Sequence, residues 1–397
     1  MIAARHPRLL ALLRGVGVLA LAAFALAAGW FLFWTSYDPR VDVPPPREID
    51  LAGDGGGRAS VLFLGDFAPT DAALSFIEEH GWGYPYSATR GLLAEHDAVI
   101  ANLEAPVTES DEPFPVPKRW VYKVHPDALV AIREAGIDAV TLANNHAYDY
   151  GRRGLADTLR HLDAAGLAHL GAALSEAEAR RGLVVRTDGG RLGVLSTMQN
   201  RFHWRMYMMA FALDTPFRTW PGVARLGYAD LAEDIARLER VADAVVVAVH
   251  WGENYTPIRA DQERLARACV DLGADVVVGH HPHWAQPVAL VDGRPVIYSL
   301  GNYAFGTIGN RRMRFGMGAA LHLEAGSVRA VELIPLLTQN RIVDYRTRLP
   351  RGRRLDRFFR ELVGPSAERG AEIERRGNRG WLRVPASADE PAHRGLN

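Results

Sequence analysis

The stretch VVVGHHPHWAQPV, residues 276–288, sets three histidines into four positions behind a valine run, and VVVAVHWGENY, residues 245–255, ends a second valine run in another histidine. Continuous β-branched runs of this length, with no polar alternation, read as strands buried on both faces. The segment between them, RADQERLARACVDLG (259–273), has the spacing of an amphipathic helix. A strand, a helix and a second strand in that order predict neighbouring parallel strands, each ending in imidazole.

Working outward, the same alternation starts at about Ser60. SVLFLGD (60–66), HDAVIANLE (96–104) and IDAVTLANNH (137–146) read as strands separated by helical stretches. GLVVRTDGGRLGVLSTM (182–198) reads as a hairpin turned at Asp188-Gly189-Gly190, and GAALHLEAGSVRAVELIPLL (318–337) as another. The pattern predicts an α/β fold, either a layered α/β/β/α sandwich or a doubly wound sheet.

Polar residues collect where these strands end. Asp66, Asn102 and Glu104, Asn144, Asn145, His146 and Asp149, His250 and Glu253, His280, His281 and His283, and Ser299 and Asn302 all follow apolar runs. In open α/β sheets, ligands bind beyond the carboxyl ends of the strands, so these ends share one site. Taken singly, each has a structural explanation: a histidine after a strand is commonly just hydrogen-bonded, Asp66 suits a helix cap, and the asparagines suit turns. The coincidence of all six ends argues for function. Carboxylates, an amide and imidazoles are nitrogen and oxygen donors suited to Mn²⁺, Fe²⁺ or Zn²⁺. Asp66, Glu104, Asn145, His250, His280 and His283 are the candidate ligands, enough for two divalent ions, with Glu104 placed to bridge them in the manner of phosphoester hydrolysis. His146 is the candidate general acid and Asp149 its orienting carboxylate. Asn102, Asn144, Glu253, His281, Ser299 and Asn302 are candidates for substrate binding or support of the ligands. His281 is expected to point away from His280 if the strand continues.

The bulk numbers bound the rest. The 397 residues are 48% hydrophobic and 23% charged, an ordinary globular mix. Lys plus Arg equals Asp plus Glu, 46 each, so charge gives no reason to expect a nucleic-acid partner. The single cysteine, Cys269, excludes an internal disulfide framework and thiolate clusters. Residues 15–37 carry no charge, and as a helix they span about 35 Å, enough for a bilayer core. Arg5, Arg8 and Arg14 precede the run, and Trp30, Phe31, Phe33, Trp34 and Tyr37 close it. The positive-inside rule puts residues 1–14 in the cytoplasm and the main domain outside a bacterial-type cell membrane. A signal peptide cleaved near ALAAG (25–29) is the alternative. Residues 38–59, rich in proline and glycine, read as a linker. The domain is expected over 60–340, with a C-terminal helix and polar tail over 341–397. The stretch 198–222, rich in methionine and aromatic residues, is expected as a lid or core.

In order, GDFAPT, NLEAPVT, LANNHAYDYG, HWGENY, GHHPHWAQPV and IYSLGNYAF resemble the CapA family of poly-γ-glutamate capsule proteins, related to the calcineurin-like metallophosphoesterases. The resemblance covers about residues 60–340. It implies a four-layer α/β/β/α sandwich with a two-metal centre. It also implies a role in capsule or envelope polymer metabolism, either as a metal-dependent hydrolase or as a non-hydrolytic accessory subunit. Polymer synthase or export membrane proteins and an anionic polymer or phosphoester are the implied partners. One departure stands out. Metallophosphoesterases open with Asp-x-His, whereas Asp66 is followed by Phe67 and Ala68, leaving one ligand to be replaced by Glu253 or water.

Overall fold

The two valine runs form neighbouring parallel strands, Ala244–His250 and Val276–His280, in register so that His250 faces His280. The computed structural model describes residues 42–51, 53, 55–115, 118–199, 222–224, 227–307 and 315–385. Val246, Val276 and Val278 point into a core shared with a second sheet. Val245, Val247, Val249 and Val277 point the other way, against Leu231, Ile235 and Leu238 of helix Tyr228–Glu239 and Ala266 and Cys269 of helix Ala260–Asp271. Each fully buried valine contributes about 1.5–3 kcal/mol relative to exposure, which is why β-branched residues fill both faces.

These strands are the centre of a seven-stranded sheet whose order is Arg47–Asp50, Leu183–Thr187, Gly190–Met198, Ala244–His250, Val276–His280, Arg294–Ile297 and Val288–Val291. The expected hairpin closes between Thr187 and Gly190. A nine-stranded sheet holds the first strand of the expected domain, Arg58–Ala68, beside Ala98–Leu103, Ala139–Thr141 and Ala168–Leu170 on one side. On its other side lies the hairpin Phe315–Glu324 and Ser327–Leu337. Val61, Phe63, Ala98 and Ile100 join the core between the sheets. Leu62, Leu64, Val99 and Ala101 face Leu129 and Ile132 of helix Ala128–Glu134 and Leu155 and Leu162 of helix Gly151–Ala165. The fold is therefore a mixed α/β structure in which two sheets share one core and each carries helices on its outer face.

Both sheets extend beyond residues 60–340. Within the expected linker, Arg47–Asp50 pairs in parallel with Leu183–Thr187, and Ile49 packs on the core between the sheets. Within the expected C-terminal segment, helix Arg353–Ala367 buries Phe358, Phe359 and Leu362, and the hairpin Ile373–Arg376 and Arg379–Arg383 adds to the nine-stranded sheet. A C-terminal helix is expected over this segment; the two strand pairings are not, because proline before the first and glycine and arginine in the last outweigh a short alternation of apolar positions. Among the described residues no helix is long and apolar enough to cross a membrane. The expected span, residues 15–37, lies outside them, as does nearly all of the methionine-rich stretch 198–222.

Candidate functional site

The strand parity that builds the core also aims the site. Ala98 and Ile100 face the space between the sheets, so Asn102, two residues on, does too; Ala244 and Val246 do the same for His250. Asp66 follows an irregularity in register after Leu64. At this point the backbones crowd: a Cβ on Gly65 would sit 1.8 Å from the Gly301 carbonyl oxygen, and Asp66 N donates to that same oxygen at 2.9 Å. Only glycine fits there.

Asn102 is the hub. Its Nδ2 donates to Asp66 Oδ1 at 2.7 Å, and its Oδ1 accepts from Thr141 Oγ1 and Asn144 Nδ2, each at 3.1 Å. Asn144 also donates to the Leu103 carbonyl at 2.8 Å and accepts from His146 N at 3.1 Å. Asn102 and Asn144 thus tie three strand ends together. Asn145 Oδ1 lies 2.8 Å from His250 Nε2, and that nitrogen is 3.5 Å from Glu104 Oε1.

The strand Val276–His280 ends at its first histidine, and the histidines separate there. His281 has φ +97° and His283 φ +58°, so alternation stops. His281, expected to point away, instead joins Glu104 and His283 in a buried group whose ligand atoms all lie within 4.8 Å of one another. His280, expected as a ligand, keeps the strand's parity and directs Nε2 to the Leu64 carbonyl at 3.2 Å, pinning one sheet to the other. His283 Nδ1 lies 2.8 Å from Asn302 Oδ1 and 3.9 Å from Glu104 Oε2, so the asparagine orients the ring edge that faces the group. Asp66 Oδ2 accepts from His281 N at 3.1 Å and lies 3.4 Å from His283 Nδ1.

The electrostatics of this group are those of an apolar interior. Burial pushes the Asp66 carboxyl up to about 7. Burial, then the neighbouring Asp66, raises Glu104 well above its ordinary value. Burial holds His250 well below the usual imidazole range and brings His283 down to about 4. With His250 neutral, its 3.5 Å approach to Glu104 is a contact, not an ion pair. Both Glu104 carboxylate oxygens are buried without a hydrogen-bond partner among the described residues. A buried carboxyl in that condition costs about 1–3 kcal/mol or more. Neutral imidazoles and carboxylate and amide oxygens converging on such a group are the donor set of a cation site, which reverses the cost.

Beside it stands a second cluster. His146 Nδ1 lies 2.7 Å from Asp149 Oδ2, and Tyr122 N donates to the same oxygen at 2.8 Å. Lys118 Nζ donates to Asp149 Oδ1, and to the Asn145 carbonyl at 2.7 Å. The Tyr122 ring packs on the His146 ring at 4.3 Å between centroids. Burial raises the Asp149 carboxyl, but His146 and Lys118 outweigh it, so Asp149 sits below its ordinary value. Lys118 and Tyr122 were not legible as site residues. They lie in DEPFPVPKRWVY, a proline-broken run with no periodicity.

Other candidates are placed elsewhere. Glu253 is half-exposed and pairs with Arg259 at 2.8 Å, so it does not replace the ligand missing after Asp66. Ser299 Oγ accepts from Gly301 N at 3.1 Å and braces the turn before Asn302. His169 sits against Arg47 and Asp163, and His322 against Glu332.

Comparison with known proteins follows the same motifs. The model of the family described as bacterial capsule synthesis protein PGA_cap matches residues 60–307. The PGA biosynthesis protein CapA of Bacillus subtilis is 28% identical over 282 residues, which cover 70% of this chain and 71% of the relative. A probable polyglutamine synthesis accessory protein of Mycobacterium tuberculosis is 29% identical over 228 residues, 56% of this chain and 59% of that one. A structure described as that of a 5′-nucleotidase of Staphylococcus aureus overlaps with a TM-score of 0.44 and 17% identity, over 70% of this chain and 54% of the other, a likeness too loose to bear on chemistry.

Proposed function

We infer, since the chain belongs to the bacterial capsule synthesis protein family PGA_cap, that it is a metal-dependent hydrolase of capsule or envelope polymer metabolism. We propose further that residues 15–37 anchor it in the cell membrane with the main domain outside the cytoplasm. The observation that carries the chemistry is Glu104. Its carboxylate is buried without a hydrogen-bond partner and stands within 4.8 Å of the ligand atoms of His281 and His283.

Asp66, Glu104, Asn145, His250, His281 and His283 would hold one or two divalent ions, Mn, Fe or Zn. Such an ion supplies Lewis-acid polarisation of the scissile carbonyl or phosphoryl oxygen. The chain's own groups supply the rest. Asp149 accepts from His146 Nδ1, which fixes the tautomer and leaves Nε2 as the position that carries a proton to a leaving group. Lys118 and Tyr122 N hold both Asp149 oxygens and so fix the ring's orientation. The substrates favoured are a phosphoester or an amide-linked anionic polymer such as poly-γ-glutamate.

Elemental analysis of the purified chain tests the first half, with a stoichiometric divalent metal expected. His146→Ala tests the second: turnover should fall about 10²–10⁴-fold with metal content retained. Absence of hydrolysis by the metal-loaded protein across phosphoesters and γ-linked glutamate polymers overturns the hydrolase reading. The M. tuberculosis relative's description as an accessory protein favours a second reading, a non-hydrolytic subunit of a synthesis or export complex. That reading requires partner membrane proteins to co-purify, and full hydrolytic activity after removal of residues 1–42 sinks it.

A further inference from the structure

The strap Lys118-Arg119-Trp120-Val121-Tyr122 is fastened to the His146 loop at both ends. Lys118 Nζ holds the Asn145 carbonyl and Asp149, and Tyr122 holds Asp149 through its backbone N–H and His146 through its ring. Consecutive Cα atoms are about 3.8 Å apart, so no residue of the strap lies more than about 7.6 Å, Cα to Cα, from a fastened end. The two residues beside Lys118 face solvent. Trp120 is 53% exposed, among the largest apolar exposures in the described chain. The Arg119 guanidinium sits 5.2 Å from the Trp120 ring centroid. Arg119 is exposed, and no carboxylate pairs with it among the described residues.

Among the described residues the pair is left to solvent, with no carboxylate on the guanidinium and about half of the tryptophan uncovered. It is well formed for recognition. The ring pre-orients the guanidinium, whose fork matches a carboxylate or phosphate, and the remaining ring surface suits an apolar or planar group beside that anion. We propose that Arg119 and Trp120 form the rim of the His146 site and receive an oxyanion of the substrate, a carboxylate or a phosphate, next to an apolar segment. This rests on the reading of the site as one that acts on an anionic substrate. It adds the element that selects that substrate.

The test uses the full-length chain in detergent, loaded with Mn²⁺, titrated calorimetrically with tri-γ-glutamate and, separately, with inorganic phosphate. Arg119→Gln and Trp120→Ala are each expected to weaken at least one probe about tenfold. Metal content should be unchanged. Where a substrate is turned over, KM should rise while kcat holds. Weakening of tri-γ-glutamate alone assigns the rim to carboxylates, and weakening of phosphate alone assigns it to phosphates. Unchanged affinity for both probes in both variants overturns the proposal, as does a wild-type chain that binds neither. Binding lost in the variants with no turnover by the wild type would defeat the hydrolase reading and leave the rim standing.

Discussion

His250 and His280 end neighbouring parallel strands and are register partners. Their sequence contexts are nearly the same: three valines, then Ala-Val in one and Gly in the other, then histidine. Yet His250 Nε2 meets Asn145 and approaches Glu104, while His280 Nε2 is spent on the Leu64 carbonyl. The difference lies in what stands opposite. Across from His250 are loops that follow the strands of the other sheet, and they bring Asn145 and Glu104. Across from His280 is the backbone of Arg58–Ala68 itself. One imidazole reaches the space beyond the sheet, and the other is a cross-tie between the two sheets. The loop after His280 then supplies what the strand end could not. Positive φ at His281 and His283 turns two further rings back toward Glu104.

The largest effect that tests this contrast is on metal. His281→Ala should lower affinity for a divalent ion by more than about 100-fold, the upper end of what losing a mere supporting contact costs. His280→Leu should leave metal binding nearly as it was. It should instead lower stability by about 1–3 kcal/mol, because the Leu64 carbonyl loses its donor. Metal titration followed by elemental analysis, and urea unfolding of the metal-free chain, measure the two. If His280→Leu also loses the ion, the division between cross-tie and ligand is wrong.

That division marks how far the sequence can be read. The strands, their parallel order and the convergence of Asp66, Glu104, Asn145, His146 and His250 follow from valine runs and from side chains alternating at period two. Alternation carries correctly through Asn102, His250 and His280. It fails one residue later because period two holds only while the backbone stays extended, and His281 at φ +97° does not. Nothing in GHHPH signals that turn. A non-glycine residue at positive φ is uncommon, and Pro282 biases its predecessor toward extended backbone with negative φ, the opposite of what His281 adopts. Lys118 was hidden for a different reason. It reaches His146 and Asp149 across 28 and 31 residues of chain, a contact no local pattern encodes. Arg47–Asp50 was missed because four residues after a proline run carry too short an alternation to outweigh it.

A smaller effect probes the rigidity on which the contrast depends. A Cβ on Gly279 would lie 2.1 Å from the Tyr298 carbonyl oxygen and 2.6 Å from Trp251 Nε1, and Trp251 Nε1 already donates to that oxygen at 2.8 Å. Gly279→Ala must shift one strand against the next, at about 1–3 kcal/mol. Because Gly279 immediately precedes His280, the shift should also weaken metal binding, though less than His281→Ala does. A destabilised variant with unchanged metal affinity would show that the histidine loop is positioned by its own turn and not by the strand.

Cys269 separates local damage from global opening in all of these variants. The thiol is buried on the outer face of the seven-stranded sheet, against the side of the valine strands that faces away from the site. Burial pushes it up to about 12, so in the folded chain it is neither exposed nor ionised near neutral pH. Labelling with a disulfide reagent at pH 8 should be slow in the native protein and fast in urea. If opening is rapid and reclosing faster than reaction, the labelling rate follows the opened fraction. In the metal-free chain His281→Ala should then label as slowly as the wild type, since it changes only the loop beyond the strand. Gly279→Ala should label about 5- to 150-fold faster, the factor that corresponds to 1–3 kcal/mol. Fast labelling of the wild type itself would mean that helix Ala260–Asp271 lifts off without the sheet unfolding. The valine strands would then be held by the inner core alone, and the aim of His250 and His280 would depend on the contacts between the sheets rather than on the helices behind them.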